Sequence, residues 1–536
     1  MKTIFLLKSW VRIPFCPMKF FLYFKINIIS DNSLLDTFFN FSNNCINTYF
    51  SNFYLEILLI AYIIYNVIFY KENKNNYKLF YFQFIFFLTF LCLICSFNFI
   101  FYNVNYLKQD ILINNNFVLI SKCFVLFITL MIFLICKNKF MVKPKYMSVN
   151  EIPIIFCFLL LFISLLLSAY DFFIIYLTIE GISLIIYTLG SVMNESLINL
   201  ESIMKYFLIN NMASSLLLWS ISYLYIITGS TDCFELQYFF SSHLELIKIQ
   251  YLYNICFLLL ISILIKLAIF PFQWWIADVF EGLWTPITLT YAVLIKFTFF
   301  IFFFKLILNV FNNIIFLFQT FLFIAALGSV IIGSIGALIQ IKLKRFLAYT
   351  SIAQSGYIIM GLACNSINGF LSSLLYLYLY CIITLAFFCI LLNIEHISKG
   401  HNITYFNQVY SILTYNKEIT FHLVILLLIM AAIPPFTSFF AKFFIFIVTI
   451  EAKLELITCI ILGMTLISTF YYLNFIQQLT FFKFDESKIF YYKNNIIIDM
   501  FLRVNTLFFT IGIFFIIVIY DFSFNLVLNC MYPLCV

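Results

Sequence analysis

"SILIKLAIFPFQWW", residues 262–275, is apolar enough to cross a membrane, yet it carries Lys266 near its middle and Pro271 five residues later. An ammonium in hydrocarbon costs roughly 2.5–3.5 kcal/mol on insertion scales. A proline inside a helix also removes a backbone hydrogen bond that lipid cannot replace. A second stretch, "MAAIPPFTSFFAKFF" at 430–444, combines Pro434 and Pro435 with Lys442 in the same way. Each break opens backbone and room for water beside an amine that must exchange its proton. The plainer reading of each is a kink that serves packing.

The composition around these stretches sets the class. Of 536 residues, 64% are hydrophobic and 10% charged, with a mean hydropathy of +1.07, whereas soluble domains carry about 25% charged residues. The chain reads as an all-α integral membrane protein. Apolar runs of about 18 residues or more predict fourteen spans at 54–71, 77–103, 116–136, 150–169, 171–190, 202–228, 251–270, 286–308, 314–340, 344–363, 368–393, 420–450, 455–478 and 504–528. In residues 1–50, Lys2, Lys8, Arg12, Lys19 and Lys25 interrupt the apolar run, which suits an interfacial extension better than a further span.

Basic residues sort by loop. Lys71, Lys74, Lys78, Lys137, Lys139, Lys143, Lys145, Lys342, Lys344, Arg345, Lys399, Lys417, Lys483, Lys488, Lys493 and Arg503 follow odd-numbered spans, while Lys108, Lys248, Lys305 and Lys453 follow even ones. The odd loops are therefore expected on the cytoplasmic or matrix side. The net charge of +7 is spread among apolar spans and reads as topology, with no nucleic-acid patch. Cys92 and Cys95 form a C-x-x-C inside a span, with no second pair at metal-ligand spacing. His243, His396, His401 and His422 lie in or beside loops, and no glycine run resembles a phosphate cradle. Any redox cofactor is expected on another chain.

Five ionisable residues remain inside spans: Glu180, Lys205, Lys266, Lys296 and Lys442. Lys122 and Lys305 lie near span ends and read as snorkelling side chains. Burial lowers the proton affinity of a lysine in general and a nearby carboxylate restores it, so buried lysines can load and unload a proton. The alternative is that the charges only fix helix register.

Matching Lys266 to Lys442, 176 residues on, superposes spans four to eight on nine to thirteen. Shifting Glu180, Lys205 and Lys296 by the same amount lands on Gly356, Cys381 and Tyr472. Five spans per copy make the second copy inverted, as in many transporters with broken helices. The expected divisions are an extension at 1–50, three spans at 51–149, a first repeat at 150–310, a second at 311–480, and a loop with the last span at 481–536. In the tenth span Thr350, Gln354 and Tyr357 share a face, either a polar path for water or a packing stripe.

Four ordered motifs then carry a resemblance: "LESIMKYFLINNMASSLLLWSISYLYIITGSTD" (200–232), "KLAIFPFQWWIADVFEGLWTPITLTYAVLIKF" (266–297), "IGALIQIKLKRFLAYTSIAQSGYIIMGL" (335–362) and "AAIPPFTSFFAKFF" (431–444). Over roughly residues 54 to 530 the chain resembles the antiporter-like proton-pumping subunits of respiratory complex I. Lys442 and the absence of a long lateral helix after the last span are similar to the subunit 2 group.

The resemblance implies proton transfer through Lys266, Lys296 and Lys442, with Glu180 and Lys205 as a pair that biases Lys266, driven by quinone reduction elsewhere. It places NADH, FMN, iron–sulfur clusters and ubiquinone on other subunits. It implies membrane-arm partners, including paralogous antiporter-like subunits, and lipid contact. The AT-rich codon bias suggested by the Phe, Tyr, Ile, Asn and Lys usage points to the mitochondrial inner membrane, with a bacterial plasma membrane as the alternative. Gln273, Ala277 and Gln354 depart from the histidine, proline and histidine common in the family. A glutamine orders water but does not take a proton near neutral pH. A subunit of a multisubunit cation/proton antiporter and a non-transporting membrane-arm scaffold remain open.

Overall fold

The computed structural model describes residues 58–63, 83–91, 112–141, 151–191, 197–242, 249–397, 404–413, 417–481, 496–512 and 516–531. The extension at 1–50, most of the first two spans, and Cys92, Cys95, His243 and His401 lie outside them.

The remaining spans form where the apolar runs place them. Helices α1 (Asn116–Met141), α2 (Glu151–Ser168), α3 (Phe172–Ser191) and α4 (Leu197–Thr228) are spans three to six. A ten-residue helix, α5 (Cys233–Ser242), follows. The seventh span is α6 (Ile249–Leu267), a break, and the short α7 (Ile276–Gly282). Spans eight to eleven are α8 (Thr285–Asn309), α9 (Phe316–Ile339), α10 (Leu343–Ala363) and α11 (Ile367–Ile397). A second short helix, α12 (Phe406–Leu413), precedes α13 (Lys417–Ala431), another break, α14 (Thr437–Glu451) and α15 (Glu455–Phe481). The fourteenth span is described as two helices, α16 (Ile496–Ile511) and α17 (Ile516–Met531). Among the described residues, nine helices are long and apolar enough to cross a membrane.

Both breaks are built alike. At the end of α6 the Ala268 amide donates to Ile265 O (3.1 Å), Ile269 N to Leu264 O (3.0 Å), and Phe272 N to Ile269 O (2.7 Å). At the end of α13 the Ala432 amide donates to Ile429 O (2.9 Å), Ile433 N to Leu428 O (3.4 Å), and Phe436 N to Ile433 O (3.1 Å). Each is a Schellman closure, with alanine at the left-handed position usually held by glycine: φ is 55° at Ala268 and 55° at Ala432. The closure satisfies carbonyls that a proline would leave bare in lipid.

A second device also recurs. Phe172 N donates to Thr231 O (3.1 Å), pairing the head of α3 with the chain entering α5. Leu343 N donates to Thr404 O (3.0 Å), pairing the head of α10 with the chain entering α12. These paired devices have spacings of their own, which differ from the 176 residues expected for a repeat. Helix heads α3 and α10 lie 171 residues apart and the breaks 164 apart. Matching the two lysines at 176 misaligns both, because Lys266 lies before the first break and Lys442 beyond the second. Glu180 then falls opposite Ser351 rather than Gly356.

The centre of the bundle is α8, buried along its whole length, with α10 and α11 nearly so. Within α8, Thr290–Ile295 widens to a π-helix, a feature often found at functional sites. Helices α9 and α10 approach closely through glycine. A Cβ on Gly333 would stand 2.5 Å from the Ala353 amide nitrogen, and one on Gly356 would stand 2.3 Å from Ser329 Oγ.

Lys305 does not snorkel. It is buried, donates to Leu167 O (3.1 Å) and Ala169 O (2.5 Å), and lies 3.7 Å from the centre of the Tyr170 ring. Lys122 is buried too.

Candidate functional site

The last turn of α6 carries Lys266, 4% exposed, whose Nζ meets no hydrogen-bond acceptor among the described residues. The Lys266 carbonyl accepts instead from Tyr291 Oη on α8 (3.0 Å). Tyr291 packs edge-on against Tyr206, Trp275 and Phe280 at 5.7–5.9 Å between ring centres, so aromatic faces from α4, α7 and α8 close around the break. Glu180 on α3 is half-buried, accepts from Ser183 Oγ (3.4 Å) and stands in electrostatic range of the Lys266 amine.

One step along the bundle, Lys296 is 1% exposed and donates to Ser351 Oγ (3.0 Å) and Ser351 O (3.2 Å) on α10. It is the first residue after the π-helix, whose looser turn resets the face on which the following side chain emerges.

Past the second break, Lys442 on α14 is 4% exposed and its Nζ also meets no acceptor among the described residues. It lies 5.2 Å from the centre of the Tyr357 ring. A cavity lined by Lys442, Gln354, Tyr376, Tyr380, Thr384 and Ser438 holds 20 Å³ of space for water centres, room for about one water. Of the face predicted on α10, Gln354 lines this cavity. Gln354 accepts from Tyr376 Oη, Tyr357 lies beneath the amine, and the Tyr472 hydroxyl stands among Gln354 and Thr350. Thr350 itself donates within its own helix to Leu347 O (3.0 Å).

Lys205 is the exception. The pairing with Glu180 that the resemblance implies is replaced: Lys205 Nζ is 2.7 Å from Glu201, one turn earlier on α4, and 2.7 Å from Asp278 on α7. The reason is proximity, since Glu201 shares its helix face and α7 packs on α4. Asp278 also meets Arg345 (2.9 Å), and Glu281 meets Arg345 and Lys342.

Sequence reasoning missed a buried acid too. Glu395, 2% exposed near the end of α11, pairs with Lys139 (2.9 Å) and accepts from Thr285 Oγ1 (2.9 Å). Lys139, expected in a loop, lies on α1. The signal was present in "LLNIEHI", an acid closing an apolar run. Asp278 had one as well: it lies seven residues past Pro271, as Lys442 lies seven past Pro435.

A family described as NADH:quinone oxidoreductase/Mrp antiporter, TM, matches residues 169–468. NADH-quinone oxidoreductase subunit N of Pelagibacter ubique is 32% identical over 355 residues, covering 65% of this chain and 73% of the relative. NADH-ubiquinone oxidoreductase chain 2 of Marchantia polymorpha is 30% identical over 380 residues, covering 69% and 75%. Among solved structures, a chain of respiratory complex I from Thermus thermophilus with bound aureothin aligns with a TM-score of 0.72 at 18% identity, covering 87% of this chain and 98% of its own. A chain of the Mrp complex from Dietzia aligns at 0.76 and 14% identity, covering 90% and 98%.

Proposed function

The chain belongs to the NADH:quinone oxidoreductase/Mrp antiporter membrane family, with subunit N and chain 2 proteins as its relatives, and from that membership we propose that it translocates protons as the subunit 2 component of a respiratory NADH:quinone oxidoreductase. The carrying observation is that Lys266 and Lys442 are buried with no acceptor at either amine among the described residues. A scaffold that used charge to fix helix register would pair its charges, as Glu395 and Lys139 are paired. An unpartnered amine in a dry interior costs stability, and its use is to change protonation state.

Lys266, Lys296 and Lys442 are the proton-carrying groups, passing charge from the first break through α8 to the second. Glu180 and Lys205 set the field at Lys266. Gln354 borders the water space at Lys442, with Tyr357 against the amine and Thr350 on the same helix face, and Pro271, Pro434 and Pro435 mark the two breaks. The duplicated breaks and helix-head pairings support two inverted five-helix repeats, spans four to eight and nine to thirteen. NADH, FMN, iron–sulfur clusters and ubiquinone are assigned to other subunits, with paralogous antiporter-like chains as neighbours in the membrane arm. The mitochondrial inner membrane is the proposed location, on the composition and the Marchantia relative.

The Mrp likeness supports a second reading, a cation/proton antiporter subunit. Native-gel separation of gently solubilised membranes decides between them. The chain is expected in a band that reduces an acceptor with NADH; a smaller NADH-inactive band with sodium-linked proton movement would establish the second reading.

A further inference from the structure

Lys296 donates to two oxygens of one residue, Ser351 O (3.2 Å) and Ser351 Oγ (3.0 Å). A carbonyl accepts a hydrogen bond and has no proton to pass on, whereas a hydroxyl both accepts and donates. Ser351 Oγ is therefore the point at which a proton can leave Lys296. The serine hydroxyl donates to Ala348 O (2.7 Å), and beside it stands the hydroxyl of Tyr380 on α11. Both residues are buried, so an exchange between them is closed to lipid and bulk water.

Tyr380 reaches the other lysine as well, because it lines the water-sized cavity at Lys442. The other hydroxyls of that wall have committed their protons. Tyr376 donates to Gln354, Thr384 to Tyr380 O (2.9 Å) and Ser438 to Ile429 O (2.6 Å). Gln354 itself orders water and does not carry a proton near neutral pH. Tyr380 Oη is held by a long bond of 3.4 Å to Ala292 O, inside the π-helix of α8, beyond the usual range for an O–H donor. Among the described residues of the cavity wall, Tyr380 is the one hydroxyl that stands beside Ser351 and has a loosely held proton.

We propose that Ser351 and Tyr380 form a hydroxyl relay that joins Lys296 to Lys442, completed by one water in the cavity. This rests on the proton-transfer reading above. The Lys296 ammonium gives a proton to Ser351 Oγ as Ser351 gives its own to Tyr380 Oη. Tyr380 gives its own to the water, and the water gives one to a neutral Lys442. Each oxygen gains one O–H bond and loses one, so the two side chains and the water end neutral, Lys296 as an amine and Lys442 as an ammonium. Rotation of the two hydroxyls then restores the starting hydrogen bonds. No group between the lysines has to ionise, which suits an interior that penalises charge.

The test uses the intact complex in vesicles, reading assembly on a native gel, quinone reduction by NADH and proton uptake. Tyr380→Phe keeps the ring and removes the hydroxyl, and is expected to lower proton uptake about tenfold in an assembled complex. Ser351→Ala is expected to do the same. The double variant is expected to fall less than about twofold below either single one, because serial members of one chain fail together. Normal uptake in Tyr380→Phe overturns the proposal. So do losses that multiply in the double variant to about a hundredfold, which mark two separate packing defects. Where Tyr380→Phe prevents assembly, Ser351→Ala and Ser351→Thr decide: a loss with alanine that threonine restores supports the relay, and normal uptake with alanine overturns it. Lys296→Ala separates the two levels. Normal pumping there removes the proton-transfer reading itself, whereas a defect in Lys296→Ala with none in Tyr380→Phe removes the relay alone.

Discussion

The first and second helix breaks share a backbone and differ in where they put charge. Both close with the same pair of hydrogen bonds and an alanine at φ 55°. In the first, the buried amine sits before the break at Lys266, and the anion Asp278 follows it. In the second, the position equivalent to Lys266 is Met430, and the amine Lys442 takes the place of Asp278. Backbone polarity is thus solved once and used twice, while the titratable chemistry is free to move from one arm to the other. The surroundings follow suit. Aromatic faces close on the first break, and a water-sized cavity with Gln354 and Tyr376 adjoins the second.

That contrast can be broken by making the second break look like the first. Met430 lines the same cavity as Lys442, so Met430→Lys would place two ammonium groups in one small space with no counter-ion. A loss of about 3–5 kcal/mol is expected, seen as failure of the chain to enter the complex. Normal assembly would mean that the cavity is wetter or larger than described.

Removing the amines is the next largest effect. Lys266→Ala and Lys442→Ala are each expected to cut proton uptake at least about tenfold, roughly 1.4 kcal/mol, with assembly and artificial-acceptor reduction retained. If one substitution alone impairs pumping, the two arms are not serial parts of one route.

Packing at the two breaks should differ by a smaller margin. A Cβ at Gly328 meets the Phe270 ring at 2.3 Å, whereas at Gly512 it meets one Thr437 methyl at 2.8 Å. Gly328→Ala is expected to lose about 1 kcal/mol net, overpacking outweighing the gain in helix propensity. Gly512→Ala should be nearly neutral, and thermal dissociation of the intact complex measures both.

The smallest change tests the shared backbone. Ala268→Gly and Ala432→Gly each relieve a left-handed alanine at some cost in chain entropy, for a net gain of about 0.5 kcal/mol. Equal shifts in dissociation temperature are expected. A gain at one break and a loss at the other would show that the two closures are not energetically alike.

Much of this protein was legible from its residues. Hydropathy alone located α1 to α4 and α8 to α11 within a few residues, because lipid requires every backbone polar group to be paired inside the segment and the chain must signal that with uninterrupted apolar runs. The lysines and prolines identified both breaks, since an amine or a proline in such a run has no local excuse. Short amphipathic α5 and α12 escaped because eight to ten residues do not build a span-length signal.

Partnership was the part that tertiary structure decided. Nothing in the spacing of Lys205, Glu180 and Asp278 says which carboxylate the amine meets, since helices of different registers bring residues 73 apart to 2.7 Å. Glu395, just past the end of a predicted span, gains its partners only where α1 and α8 bring Lys139 and Thr285 to it. The spacings of the paired devices, 164 at the breaks and 171 at the helix heads, were hidden from side-chain matching because Lys266 and Lys442 lie on opposite sides of their breaks. A sequence states which groups cannot face lipid; the packed helices decide what each of them faces instead, because electrostatic energy falls with separation in space and has no memory of separation along the chain.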